Sequence, residues 1–206
     1  MVSTAVNEMR GGLPVVAFAS AEDWGTWLTQ EATASKGLWL KLAKKGADTR
    51  SVSRQEAIEV ALCHGWIDGQ LDKYDDQWWL VRFTPRSPKS KWSEVNRTAA
   101  LKLIEEGRML PSGLIQVRAA KADGRWDAAY APQSTATVPA DLQVALDASL
   151  VAKRFFEKLD GANRFAILYR IQDAKTQTTR LQRIEKFVEM LARGETIHPA
   201  KRLANR

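Results

Sequence analysis

The chain has 206 residues, 45% hydrophobic and 27% charged, and a formal net charge of +7. Such composition is that of a globular protein long enough for one well-cored domain or two small ones, which excludes disorder of the whole chain. No run of about 18 apolar residues occurs, so no membrane span is expected.

The single cysteine, Cys63, permits no disulfide within the chain and fits a reducing, cytoplasmic setting. Cys63 with His64 and His198 cannot build a structural zinc site, so neither metal nor cofactor is expected. The apolar patch from Leu13 to Ala19 is broken by Pro14 and preceded by Glu8 and Arg10. It lacks a small-residue cleavage site, so a secretory signal is rejected. Charge is unevenly spread. Residues 1–150 hold 18 Lys+Arg and 18 Asp+Glu, whereas residues 151–206 hold 13 against 6. A basic C-terminal segment of this kind is either a solvated helical surface or a docking face for nucleic acid, anionic lipid or an acidic protein.

In chain order, residues 1–19 read as an irregular lead. Ser20 followed by Glu22 and Asp23 opens a helix, with Trp24, Trp27 and Leu28 on one face. Lys36-Gly37 ends it, and Leu38–Leu42 reads as a strand. Ser53-Arg-Gln-Glu56 is a capping box that opens a second helix, stopped at Gly65. Trp66–Leu71 and Trp78–Thr84 predict a hairpin around the polar turn Asp72–Gln77. Side chains alternate along a strand, so Trp78 and Trp79 cannot face the same side. One of them is expected to be exposed or to lie under another element, as a candidate contact for a ligand or partner. Pro85 and Pro88 force an extended connection to a helix capped by Ser93 and closed by Gly107. Pro111 starts another that runs to about Lys121. Residues 131–139 read as a linker, and helices are predicted over 140–147, 149–159, 162–173 and 177–193. The expected architecture is α+β and predominantly helical, with a small three-stranded antiparallel or mixed sheet in a domain spanning 20–130. A basic helical region over 140–195 and a flexible basic tail over 196–206 complete it.

Unusual composition concentrates in Ala61-Leu-Cys-His-Gly-Trp-Ile-Asp-Gly69, in Phe83-Thr-Pro-Arg86 and in Ser90-x-Trp92-Ser93-x-x-Asn96. Gly107-Arg108-Met109, Gly124-Arg-Trp-Asp127 and Lys175–Arg183 follow in order. Together these segments resemble the YdeI/OmpD-associated (OmdA-like, bacteriocin-protection) family over about Trp24 to Gly194. His64 stands where that family has an aromatic, and Ser87 where it usually has a basic residue. The resemblance implies a role in envelope or antimicrobial stress and supplies no catalytic residues.

The residues themselves suggest a small anionic ligand. Arg86, Lys89 and Arg108, with Ser90, Ser93 and Asn96, offer guanidinium forks and hydroxyls beside the start of a helix. Trp66 and Trp92 would wall the pocket, with Asp68 beside them. The alternative is structural: Ser90 and Ser93 serve a turn and a cap, the tryptophans are core, and Arg86 pairs with Asp68. A second function class is an interaction module that uses Arg180, Arg183 and Lys186. A third is an enzyme built on Asp68, Arg86 and Arg108. Cys63 and His64 are neighbours on a helix, point about 100° apart and make no thiolate pair.

Overall fold

The computed structural model describes residues 8–199. The chain divides into two compact units, with the division between Ala129 and Tyr130. No helix among the described residues is long and apolar enough to cross a membrane.

The first unit is built on a five-stranded mixed sheet of order β1-β2-β3-β5-β4. The strands are β1 (Met9–Arg10), β2 (Leu13–Ala17), β3 (Leu38–Ala43), β4 (Trp66–Lys73) and β5 (Trp78–Pro85). This corrects the expected three-stranded sheet. The two extra strands come from the segment read as an irregular lead, of which residues 1–7 lie outside the described residues. Pro14 does not block β2, because the parallel ladder to β3 starts only at Val15, paired with Trp39. β2, α1 (Ala21–Glu31) and β3 thereby form a parallel crossover, which needs a helix between its strands. β3, β5 and β4 pair antiparallel.

Strand alternation gives the sheet two unlike faces. One carries Val16, Leu38, Leu40, Leu42, Val81, Phe83 and Trp66, packed with Trp24 and Leu28 of α1 and with Ala57 and Ala61 of α2 (Arg54–Cys63). Trp24 stacks on Trp27 and meets Trp66 edge-on, while its indole N–H donates to the Ala57 carbonyl at 3.1 Å. The other face carries only a small cluster, Leu13, Val15, Trp39 and Leu80, with Tyr74 against it. Arg10 to Asp72 (2.5 Å) and Tyr74 to Glu8 (2.6 Å) tie the N-terminal arm to the β4–β5 turn beside that cluster.

The helices start where the side chains provide caps. Ser53 and Glu56 form the full capping box at α2. Ser93 caps α3 (Glu94–Glu105) by accepting from the Asn96 N–H at 3.1 Å. α4 (Pro111–Ala122) begins with Pro at its first turn. Trp92, Trp126, Leu103, Val117 and Ala120 form a further core with Leu62 and Cys63 of α2.

The second unit holds α5 (Ala140–Asp147), α6 (Leu150–Glu157), α7 (Gly161–Gln172) and α8 (Gln177–Ala192). Leu142, Leu146, Phe156, Ile167, Ile171, Ile184, Phe187 and Leu191 make its core, and Ala136 and Val138 of the segment expected as a linker pack against it. Of the tail expected over 196–206, residues 200–206 lie outside the described residues. The His198 backbone N–H donates to Asn163 Oδ1 at 2.8 Å.

Two glycines give a test of this packing. A Cβ on Gly113 would lie 2.6 Å from the carbonyl oxygens of Leu62 and Cys63, so α4 packs on the end of α2 only because position 113 has no side chain. Gly25, inside α1, has only Val60 Cγ1 at 3.6 Å, an ordinary contact. In urea denaturation, Gly113→Ala is expected to lose about 1–3 kcal/mol from overpacking. Gly25→Ala is expected to gain about 0.5–1 kcal/mol from helix propensity.

Candidate functional site

The residues singled out in the sequence do not converge on one anion pocket. Trp66 is a core residue at the start of β4. Asp68 bonds Arg54 (3.4 Å) and Asn96 Nδ2 (3.4 Å), and Arg86 is not its partner. Arg86 is only 6% exposed. Its guanidinium lies 3.7 Å over the Trp92 ring, and Nη1 donates to the Lys91 carbonyl at 3.2 Å. Ser90 accepts from the Ser87 N–H through its hydroxyl and from Arg125 Nη1 through its carbonyl, so it holds a turn. Lys89 is exposed on that turn. Trp92 is buried against Trp126, centroids 4.8 Å apart, and Ser93 is spent as the cap of α3. Arg108 is held by Glu106 (3.0 Å) and Glu59 (3.3 Å), and these acceptors raise its pKa above the usual arginine range.

Trp66 and Arg86 do share one recess, of about 520 Å³, with Thr29, His64, Leu110, Ser112 and Gln116. His64 Nδ1 faces the Val60 carbonyl at 2.9 Å, and Nε2 lies 3.2 Å from Thr29 Oγ1. Cys63 is buried, and desolvation pushes its thiol above the ordinary range, which suits an inert core residue.

A larger groove, of about 880 Å³, lies at the corner of the sheet beside the start of α2. Its floor is Leu42, Trp79 and Leu71, and around it stand Arg50, Arg54, Lys73, Asp72 and the Ser51–Ser53 stretch. The register explains the floor. Leu42 pairs with Trp79, and Trp79 with Lys73, so the three form one cross-strand row on the helix-covered face. The β4–β5 register shifts between Asp68 and Leu71, where three steps on β4 oppose two on β5. That extra residue puts Leu71 on the same face as Asp68. The helices cover the centre of this face but leave its corner bare, so Trp79 stays 40% exposed and Leu71 50% exposed. Trp78 turns to the opposite face, with Lys41 Nζ 5.1 Å over its ring. Alternation separates the pair, and the uncovered corner makes Trp79 the exposed member. The sequence gives no equally local signal for Arg50, Arg54, Leu71 or Lys73.

Charge around the groove is lopsided. Neither Arg50 nor Lys73 belongs to an ion pair among the described residues. The one lining acid, Asp72, is already neutralised by Arg10. Just outside the lining, Glu56 is kept ionised below the usual carboxylate range, first by the Ser53 hydrogen bonds and then by Arg50. No group of three or more metal-ligating side chains occurs among the described residues.

In the second unit, Arg180 grips Asp141 through Nε (2.5 Å) and Nη2 (2.8 Å) and donates from Nη1 to the Ile171 carbonyl. Arg183 donates to the Arg170 carbonyl and lies 3.9 Å from Asp173. Lys186 is exposed. Two of the three cations read as a basic surface therefore also hold helices together.

Residues 135–194 match the family model described as Bacteriocin-protection, YdeI or OmpD-Associated. The resemblance drawn from the sequence is therefore supported over residues 135–194, within the second unit. Residues 16–116, which include the Ala61–Gly69 and Phe83–Arg86 motifs, match a separate model, a domain of unknown function, DUF8412. No curated protein and no solved structure matches the chain.

The Asp141–Arg180 fork has a measurable consequence. Hydrogen bonds from Arg180 lower the Asp141 pKa below its usual value. A depressed folded-state pKa contributes stability that is complete above the unfolded value of about 4 and is lost as pH falls through the folded value. Asp141→Asn is expected to destabilise the protein by about 1–2 kcal/mol at pH 7. That deficit is expected to shrink as pH falls below about 4. Paired denaturation curves of the two proteins between pH 7 and pH 2.5 measure it.

Proposed function

We propose that the chain is a cytoplasmic binding protein whose first unit takes one small organic anion in the groove at the sheet corner. It would serve the antimicrobial-stress role that the OmdA description implies. The observation that carries this reading is the pairing of an apolar floor, exposed at Leu71 and Trp79, with cations held in no ion pair among the described residues. Leu42, Leu71 and Trp79 supply the floor, and Arg50 and Lys73 supply the charge. A ligand site needs mostly apolar walls with a few polar anchors, and about 300–1,000 Å³ of space. The groove meets both conditions. The recess that Arg86 lines supports the reading less well, because the Arg86 guanidinium is stacked on the buried Trp92 ring and donates to the Lys91 carbonyl.

The interaction-module reading keeps Lys186 as an exposed cation, but Arg180 and Arg183 are engaged within the second unit. The groove is therefore the favoured site.

Arg50→Ala with Lys73→Ala tests the proposal, since neither cation supports an ion pair of the fold. Native mass spectrometry of freshly purified protein is expected to show a one-to-one anionic adduct. The double variant should retain its melting temperature and bind the adduct at least about tenfold more weakly. An adduct held equally well by the variant would place the anion elsewhere.

A further inference from the structure

We infer that the ligand of the groove is a nucleoside phosphate, with its base against Trp79 and its phosphate at Arg50 and Arg54. This rests on the anion-binding reading above and names the ligand class.

Two kinds of surface share the groove, an aromatic and apolar floor and a cationic side. Among the described residues Trp79 is the only aromatic lining the groove, and the residue is 40% exposed on a face where Trp66 and Phe83 are buried. Lys44, which does not line the groove, stands over the ring with Nζ 4.8 Å from its centroid and donates to the Asp75 carbonyl. This contact holds the indole from one side while the ring still contributes to the groove. An exposed indole offers a face on which a flat ring stacks.

Leu71 completes the platform. It reaches this face only through the extra residue between Asp68 and Leu71, and it is 50% exposed. Leu71 and Leu42 flank Trp79 in the lining, so a planar group on the indole would have apolar neighbours.

The cations stand with the Thr49–Arg54 segment, at the helix side of the groove. Arg50 offers a guanidinium fork suited to phosphate oxygens, Arg54 adds a second guanidinium that also pairs with Asp68 at 3.4 Å, and Lys73 adds a point charge from β4. Thr49 and Ser53 add hydroxyl groups to the same stretch. The ligand that satisfies both halves joins an aromatic heterocycle to a phosphate through a polar spacer. A volume of about 880 Å³ suits one nucleotide. Among the described residues only three cations, Arg50, Arg54 and Lys73, line the groove, which suits the phosphate of one nucleotide.

Calorimetric titration with four probes tests the inference: adenosine 5′-monophosphate, ribose 5-phosphate, adenosine and a six-nucleotide RNA. The wild-type protein is compared with Trp79→Ala, Trp79→Phe and Arg50→Ala, each checked for an unchanged melting temperature. Adenosine 5′-monophosphate should bind at least about tenfold more tightly than ribose 5-phosphate. Trp79→Ala should abolish that margin and Trp79→Phe should keep most of it, while Arg50→Ala weakens both phosphates and leaves adenosine unchanged. Equal binding of the nucleotide and ribose 5-phosphate would overturn the nucleotide inference and leave the anion reading standing. Binding of neither phosphate at millimolar concentration would overturn both. RNA binding more than tenfold tighter than the mononucleotide would overturn the inference in favour of a nucleic-acid strand. If Trp79→Ala does not fold, the Trp79→Phe and Arg50→Ala comparison decides.

Discussion

The antiparallel pairing of β3 with β5 is the constraint on which the first unit depends. Its register places Leu38, Leu40, Leu42, Val81, Phe83 and Trp79 on one face. Burial of all but the last of these against α1 and α2 is the main source of stabilisation, at about 25 cal/mol per Å² of apolar surface. Two short helices cannot cover a face five strands wide. The corner they miss carries Trp79 and, through the β4 bulge, Leu71. The groove is thus a by-product of the packing that makes the core, and the cations beside it come from the segment that leads into α2.

Much of this fold is legible in the sequence. Caps announce the helices: Ser20, Ser53 with Glu56, Ser93, and Asp160 each accept from a first-turn N–H, as their spacing suggests. The β4–β5 hairpin follows from its aromatic content and polar turn. What is not legible is long-range. β2 is five residues with a proline, and its longer ladder is the parallel one to β3, beside the two-residue pairing with β1. A parallel partner lies beyond an intervening helix, so no local pattern reports it.

The candidate site shows the same limit. Arginine is usually exposed, so Arg86 reads as a ligand-binding cation, yet it is buried on Trp92. Ser90 and Ser93 read equally well as anion donors or as turn and cap residues, and the backbone geometry assigns them to the second role. Strand alternation alone separates Trp78 from Trp79 without showing which one is bare. Leu71 is harder still, because its face depends on one extra residue near Gly69-Gln70.

Amide shift mapping during titration with adenosine 5′-monophosphate tests the central claim, that the uncovered corner of the sheet is the binding site. The account predicts perturbations centred on Thr49–Arg54, Leu71–Lys73 and the Trp79 indole. Perturbations centred on His64, Arg86 and Leu110–Gln116, with Trp79 unmoved, would contradict it and place the ligand in the smaller recess.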